Sequence, residues 1–261
     1  MSDRYALVGN PVAHSKSPWI HAEFARATSQ DLEYGLLESP LEGFAAAVQR
    51  FRAAGGKGLN VTLPFKQEAF GLCRTVSERA RRAQAVNTLV LETGFGDNTD
   101  GIGLVRDLSQ NLNYPFRNVL LLGAGGAAQG VIGPLLEAGA ARVVIANRTA
   151  AKAKTLAERF PGASGQGYEG LNGEFDLVVN ATSAGLADAA PLLPPGVLRG
   201  GVLAYDMVYG RETPFLAEAK KAGARTSDGL GMLVEQAAES FFIWRGVRPQ
   251  TRPVLARLRG A

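Results

Sequence analysis

Lys66 stands directly behind Asn60-Val61-Thr62-Leu63-Pro64-Phe65, a stretch that reads as the end of a buried strand and the turn leaving it. Pro64 disfavours helix at Leu63, so the strand Gly58–Leu63 has to stop there, and Lys66 emerges at a strand C-terminus or in a first helical turn. Ligands of open α/β sheets bind at such edges. An ammonium in a first helical turn meets the positive end of the macrodipole, so a requirement other than helix stability places it there. A carboxylate would offset that cost. The candidate is Asp100, in Asp97-Asn98-Thr99-Asp100-Gly101, where a helix N-cap is the plainer alternative. Lysine and aspartate are residue types of acid–base chemistry, which makes the pair worth following through the chain.

Polar side chains recur at the other strand ends. Ser15 and Ser17 lie in Gly9-Asn10-Pro11-Val12-Ala13-His14-Ser15-Lys16-Ser17-Pro18, Asn60 and Thr62 precede the lysine, and Asn87 follows Ala85-Val86. Each alone is a weak signal; together they suit a small hydrogen-bonding pocket for a polyhydroxylated carboxylate. His14 and His21 show no Cys/His ligand spacing, so no metal site is expected.

A second centre of chemistry is the loop Gly123-Ala124-Gly125-Gly126-Ala127, between the apolar run Val119–Leu122 and a helix-like stretch reaching about Ala138. Glycines there let a pyrophosphate approach the N–H groups of a helix N-terminus. About 20 residues on, where an NAD-binding fold carries an acid for the ribose 2′-OH, the chain reads Ala146-Asn147-Arg148-Thr149. Arg148, with Lys152 one turn further, suits a 2′-phosphate instead, so NADP is the expected cofactor. Capping of the next helix by Asn147 and Thr149 is the plainer alternative and is compatible with binding.

These side chains need a scaffold, and the alternation of elements supplies one. Val119–Leu122, the following helix and Arg142–Ala146 form a βαβ unit, and further apolar runs at Phe175–Val179 and Gly201–Tyr205 extend a doubly wound parallel sheet. In the first hundred residues strands are expected near Tyr5–Val8, Glu33–Leu37, Gly58–Leu63 and Val86–Leu91, with helices near Trp19–Ala27 and Leu41–Ala54. A long apolar helix from Leu233 to about Trp244 and a short one ending at Arg259 close the chain. The 261 residues suffice for two domains, joined by a helix beginning near Asp100.

Composition narrows the function classes. A hydrophobic fraction of 46% and a charged fraction of 20% are those of a folded globular chain. No apolar run is long enough for a membrane span and the N-terminus does not read as a signal peptide, so a cytoplasmic protein is expected. The net charge of +4 is spread without a basic stripe, which disfavours nucleic acid and suits a small anionic ligand. With 7 lysines against 21 arginines, each lysine is the more informative cation. The single cysteine, Cys73, sits among apolar neighbours and reads as packing.

With these motifs in hand the chain resembles the shikimate dehydrogenase family over nearly its whole length. The likeness rests on GNPVAHSKSP, NVTLPFK, AVNT, NTDG, GAGGAA and NRT, and on Asn180–Gly185, Asp206–Tyr209 and Asp228–Ala237. It implies an α/β protein of two domains: a substrate domain of residues 1–100 completed by residues 238–261, and a Rossmann-type NADP-binding domain of residues 101–237. Lys66 and Asp100 fall on the family's catalytic pair. Ser15, Ser17, Asn60, Thr62, Asn87, Tyr209 and Gln236 fall on its shikimate contacts. Gly123, Ala124, Gly125, Gly126, Ala127, Asn147, Arg148, Thr149, Lys152, Met207 and Gly229 fall on its NADP contacts. Two positions depart from the family pattern. Lys152 stands where arginine is common, which bears on 2′-phosphate binding, and Gln84 stands where glycine is common, which is expected to alter only local packing.

The resulting expectation is reversible, NADP-dependent reduction of 3-dehydroshikimate to shikimate by a monomer or homodimer, with small-molecule partners only. The alternatives are a quinate dehydrogenase or one of broader substrate and cofactor range, a non-catalytic NADP-binding regulator, and a folate dehydrogenase of similar plan.

Overall fold

The computed structural model describes residues 2–182 and 191–260; the Ser183–Gly185 end of the Asn180–Gly185 motif lies outside the described residues. The chain forms two compact units, one of Met1–Gly103 with Leu233–Ala261, the other of Leu104–Met232.

The first unit runs β1 (Asp3–Gly9), α1 (Ser17–Ala27), β2 (Leu32–Glu38), α2 (Phe44–Ala53), β3 (Gly56–Val61), α3 (Lys66–Leu72), β4 (Thr75–Val76), α4 (Glu78–Ala83), β5 (Thr88–Val90), β6 (Phe95–Asp97) and the start of α5 (Asp100–Arg106). Its sheet has the order β2-β1-β3-β5-β6-β4. β1 pairs parallel with β2 and β3, whereas β5 is antiparallel to both β3 and β6. Alternate residues of β1 and β3, among them Ala6, Val8, Leu59 and Val61, enter one core with Phe44 and Val48 of α2 and Phe65. Each large apolar side chain among them contributes roughly 1.5–3 kcal/mol of burial.

The second unit opens with the rest of α5 and a π-helical turn at Asp107–Asn111 and continues through β7 (Asn118–Leu122), α6 (Gly126–Glu137), β8 (Arg142–Ala146), α7 (Ala150–Ala157), β9 (Ala163–Gln166), β10 (Leu177–Asn180), β11 (Leu203–Asp206), α8 (Pro214–Lys221) and β12 (Arg225–Ser227). All its strand pairs are parallel, in the order β12-β11-β10-β7-β8-β9. Read from β9 this is the 3-2-1-4-5-6 order of dinucleotide-binding sheets, with the switch point between β7 and β10. The unbroken Val119-Leu120-Leu121-Leu122 run follows from burial on both faces: Val119 and Leu121 enter one core, Leu120 and Leu122 the other. The chain ends with α9 (Leu230–Arg245) and α10 (Arg252–Arg259). No described helix is long and apolar enough to cross a membrane.

Several local expectations change. β3 stops at Val61, two residues early, because Thr62 already turns: it donates its N–H to Val8 O at 2.9 Å, and its carbonyl accepts from Phe65 N at 3.1 Å. α2 begins at Phe44, since Pro40–Gly43 forms a turn closed by Gly43 N–H to Pro40 O. The strand expected over Val86–Leu91 shrinks to β5, which turns through Gly94, at φ +73°, into the unforeseen partner β6. Gln84 is the left-handed C-cap of α4, at φ 51° and ψ 36°. Glycine is common there for a backbone reason, so the departure at Gln84 is conformational and not one of packing. Cys73 packs against the first core and donates to Ala69 O, and burial pushes its thiol up to about 11.

Candidate active site

The end of β1 and the end of β3 are bound together before any polar residue is considered. A Cβ at Gly9 would lie 2.3 Å from Thr62 Cγ2, and Asn10 N–H donates to Leu63 O at 3.0 Å. Only glycine permits that approach, which seats the Ser15–Ser17 loop beside the loop carrying Lys66. In the first loop Ser15 Oγ accepts the N–H of Ser17 and donates to Ser17 Oγ, both at 3.1 Å, at the start of α1.

Lys66 is the first residue of α3, and its carbonyl accepts Val86 N–H at 2.8 Å, tying this turn to the strand end at Asn87. Its ammonium lies 2.6 Å from Asp100 Oδ2, with the two side chains 13% and 7% exposed. The pair is therefore enclosed yet reachable by a small molecule. Asp100 opens α5 with its N–H on Asn98 Oδ1, so Asn98 supplies the cap and the Asp100 carboxylate is left for other partners.

The other Asp100 oxygen accepts from Asn87 Nδ2 at 2.8 Å. The orientation of that amide is settled by the backbone N–H of Thr99, which can only donate and does so to Asn87 Oδ1 at 2.9 Å. Asn60 is fixed in the same way: its Nδ2 faces the Asn87 carbonyl at 3.1 Å, and its Oδ1 accepts the Tyr34 hydroxyl at 2.8 Å. Gln236 of α9 brings its Oε1 to 3.5 Å from Asn87 Nδ2 and anchors its own Nε2 on Leu233 O. Thr88, Thr99 and Ser240 complete a buried network around Asn60 and Asn87. The sequence did not single out these three, nor Tyr34 and Asn98. Thr99 and Asn98 were within the motif holding Asp100, but Ser240, in an apolar helix, carries no local signal.

Lys66, Asp100, Asn87, Asn60 and Gln236 are thus linked in one network, and Ser15, Ser17 and Thr62 sit on the adjoining loops. Tyr209, Met207 and Gly229 belong to the second unit. There Met207 N–H donates to Asn180 O at the end of β11, and a Cβ at Gly229 would lie 2.4 Å from the Met207 carbonyl oxygen. Glycine at 229 therefore has a packing reason of its own. Asp206 is fully buried and accepts from Asn180 Nδ2, Thr213 Oγ1 and Val208 N–H, which shapes the turn that follows β11.

The glycine loop joins β7 to α6. Gly123, at φ +105°, needs its glycine for backbone conformation. At Gly125 and Gly126 an added Cβ would meet nothing within 4 Å, and no side chain caps α6. Open space beside uncapped first-turn N–H groups suits a pyrophosphate. After β8, Asn147 donates from Nδ2 to Thr149 O, and the Thr149 side chain caps no N–H of α7, so the capping alternative finds no hydrogen bond. Arg148 and Lys152 are exposed, and among the described residues no carboxylate pairs with either. Two available cations and no acid suit a 2′-phosphate.

Three family models match: the shikimate dehydrogenase substrate binding domain over residues 7–89, shikimate / quinate 5-dehydrogenase over residues 106–187, and the shikimate 5′-dehydrogenase C-terminal domain over residues 229–259. A shikimate dehydrogenase (NADP(+)) of Nitrosospira multiformis is 57% identical over 272 residues, covering 100% of this chain and 98% of the relative. Among solved structures, an Ael1 enzyme from Pseudomonas putida is similar with a TM-score of 0.92 at 52% identity, covering 98% of each chain. The shikimate 5-dehydrogenase of Thermus thermophilus, in complex with NADP(H) and shikimate, is similar with a TM-score of 0.87 at 37% identity, again covering 98% of each chain.

Proposed function

The chain belongs to the shikimate dehydrogenase family, and from that premise we propose that it catalyses the reversible, NADP-dependent reduction of 3-dehydroshikimate to shikimate, a step of aromatic amino-acid biosynthesis. It is an oxidoreductase of the NADP-dependent class. The observation that carries the proposal is the enclosed contact between Lys66 and Asp100, held from the other side by Asn87.

In the reduction the substrate's ring ketone gains negative charge on oxygen. Lys66 offers that oxygen an ammonium hydrogen bond and delivers the proton that completes the hydroxyl. In the reverse direction the hydroxyl proton returns to the Lys66 nitrogen, and Asp100, oriented by Asn87, keeps Lys66 in place in both directions. Acid–base assistance of this kind is worth about 10²–10⁴-fold in rate. Ser15, Ser17, Asn60, Thr62, Asn87, Tyr209 and Gln236 bind the carboxylate and hydroxyls of the substrate in this reading.

The residues that would hold NADP are Gly123, Ala124, Gly125, Gly126 and Ala127 for the pyrophosphate, and Asn147, Arg148, Thr149 and Lys152 for the 2′-phosphate end, with Met207 and Gly229 beyond. When bound, the cofactor supplies a hydride from its nicotinamide ring. The first compact unit is read as the substrate domain and the second as the cofactor domain. A cytoplasmic monomer or homodimer belongs to the same reading, and gel filtration tests the oligomeric state.

The deciding assay follows NADPH formation spectrophotometrically from shikimate and NADP+, repeated with quinate and with NAD+. Turnover of shikimate with NADP+ supports the proposal. A higher kcat/KM with quinate would replace it with the second reading, which the shikimate / quinate family model keeps open.

A further inference from the structure

We propose that Ser240 is a positioning residue of the site: it takes the second amide proton of Asn60, so that Asn60 presents to a ligand one hydrogen-bond acceptor and no donor. The identity of the ligand rests on the functional reading above; the amide orientation does not.

The argument is a proton count. The Asn60 amide nitrogen carries two hydrogens. One is directed to the Asn87 carbonyl oxygen at 3.1 Å, an atom that cannot donate, which fixes the nitrogen end of the amide. The opposite end accepts from the Tyr34 hydroxyl at 2.8 Å. The remaining hydrogen has Ser240 Oγ at 2.9 Å as its nearer acceptor, with Thr88 Oγ1 at 3.2 Å. Ser240 places its own proton on the carbonyl of Gln236, one turn back along α9, at 3.1 Å, and so is free to accept. Thr88 Oγ1 and Thr99 Oγ1, at 2.7 and 3.2 Å from Ser240 Oγ, can fill its other lone pair.

Ser240 is fully buried and Asn60 is 5% exposed, so no water replaces a lost partner. What Asn60 offers beyond these is Oδ1 alone, an acceptor that it shares among the Tyr34 hydroxyl, the neighbouring His21 ring and a ligand. A ligand hydroxyl must donate to it, and a ketone or carboxylate oxygen is repelled there. Ser240 thereby sets which ligand group Asn60 recognises without touching a ligand itself.

Two measurements test this. Steady-state kinetics of wild type, Ser240→Ala and Ser240→Thr are recorded with shikimate, with NADP+ and with shikimate analogues each lacking one ring hydroxyl. Ser240→Ala is expected to raise the shikimate KM about tenfold, with kcat and the NADP+ KM within about twofold, and Ser240→Thr to recover most of the loss. The analogue that wild type rejects most should be rejected less by Ser240→Ala, because the freed amide can turn. An unchanged shikimate KM, or a parallel change in kcat and both KM values, overturns the inference.

Independently, the Asn60 side-chain amide pair is followed by ¹⁵N NMR, assigned by its absence from Asn60→Asp. Both protons should exchange slowly in wild type, and one should exchange at least about tenfold faster in Ser240→Ala. Fast exchange of either proton in wild type overturns the inference even where shikimate is turned over. Slow exchange in a wild type that does not turn over shikimate overturns the functional reading and leaves the amide orientation standing.

Discussion

Asn87 holds the Asp100 carboxylate from one side while Lys66 holds it from the other: Asn87 Nδ2 is 2.8 Å from Oδ1 and Lys66 Nζ is 2.6 Å from Oδ2. The Thr99 backbone N–H fixes the direction of the Asn87 amide, so the carboxylate is oriented by groups that cannot reverse their roles. A lysine pinned in this way has little freedom except toward a small molecule beside it.

Replacing Lys66 with alanine leaves Asp100 its bond to Asn87, so the fold should persist. The variant is expected to lose about 10²–10⁴-fold in kcat with the shikimate KM within a few-fold, because the contact strengthens as charge develops on the substrate oxygen. Steady-state assays with circular dichroism as a folding control check this; unchanged turnover would remove Lys66 from the chemistry.

Arg148 is exposed just beyond β8, and among the described residues no carboxylate pairs with it. Arg148→Ala should raise the NADP+ KM by about 10–100-fold while NAD+ kinetics change little, since the charge-assisted bonds to the 2′-phosphate are lost and no others. The ratio of kcat/KM for the two cofactors is the measurement. An equal fall for both would mean that Arg148 serves the dinucleotide in general.

His21 is fully buried and stacked on Tyr34 with ring centroids 4.1 Å apart. Burial lowers its pKa to about 3. The unfolded chain titrates at about 6.5, so below that pH it binds a proton that the folded chain refuses. The contribution is therefore fully present above pH 6.5 and is lost, at about 1.4 kcal/mol per pH unit, as the pH falls toward 3. Urea unfolding of wild type and His21→Phe at pH 7 and pH 5 should show the variant losing about 2 kcal/mol less over that interval. Parallel losses would assign the acid sensitivity to other groups.

Gln84 adopts the left-handed backbone that favours glycine. Gln84→Gly removes that strain at some cost in chain entropy, and a gain of about 0.5–1 kcal/mol is expected from chemical denaturation. A loss in stability would show that the Gln84 side chain supplies more than its backbone costs.

Local pattern made much of this molecule legible. The apolar run Val119–Leu122, the glycines after it and Arg142–Ala146 lie within thirty residues, and their order alone specified strand, loop, helix and strand. The β5–β6 hairpin escaped because its strands are three residues each, too short for periodicity to register, although Thr93-Gly94 marks the turn. Among the site residues, Lys66 was conspicuous as a cation behind a strand, whereas Tyr34 and Ser240 look like ordinary members of a strand and a helix.

By itself, then, the sequence determined the α/β alternation, the glycine turn at Gly123–Ala127 between strand and helix, and membership of a family through its ordered motifs, and it raised the expectation of NADP from Arg148. Only the tertiary structure decided which polar atoms meet: Lys66 with Asp100 across 34 residues, Asn60 with Asn87 across 27 and with Ser240 across 180. The physical reason is range. Backbone propensity and periodicity act over a few residues, but a buried amide takes its orientation from whichever donors and acceptors the packed chain brings within about 3 Å, and those come from anywhere in the sequence.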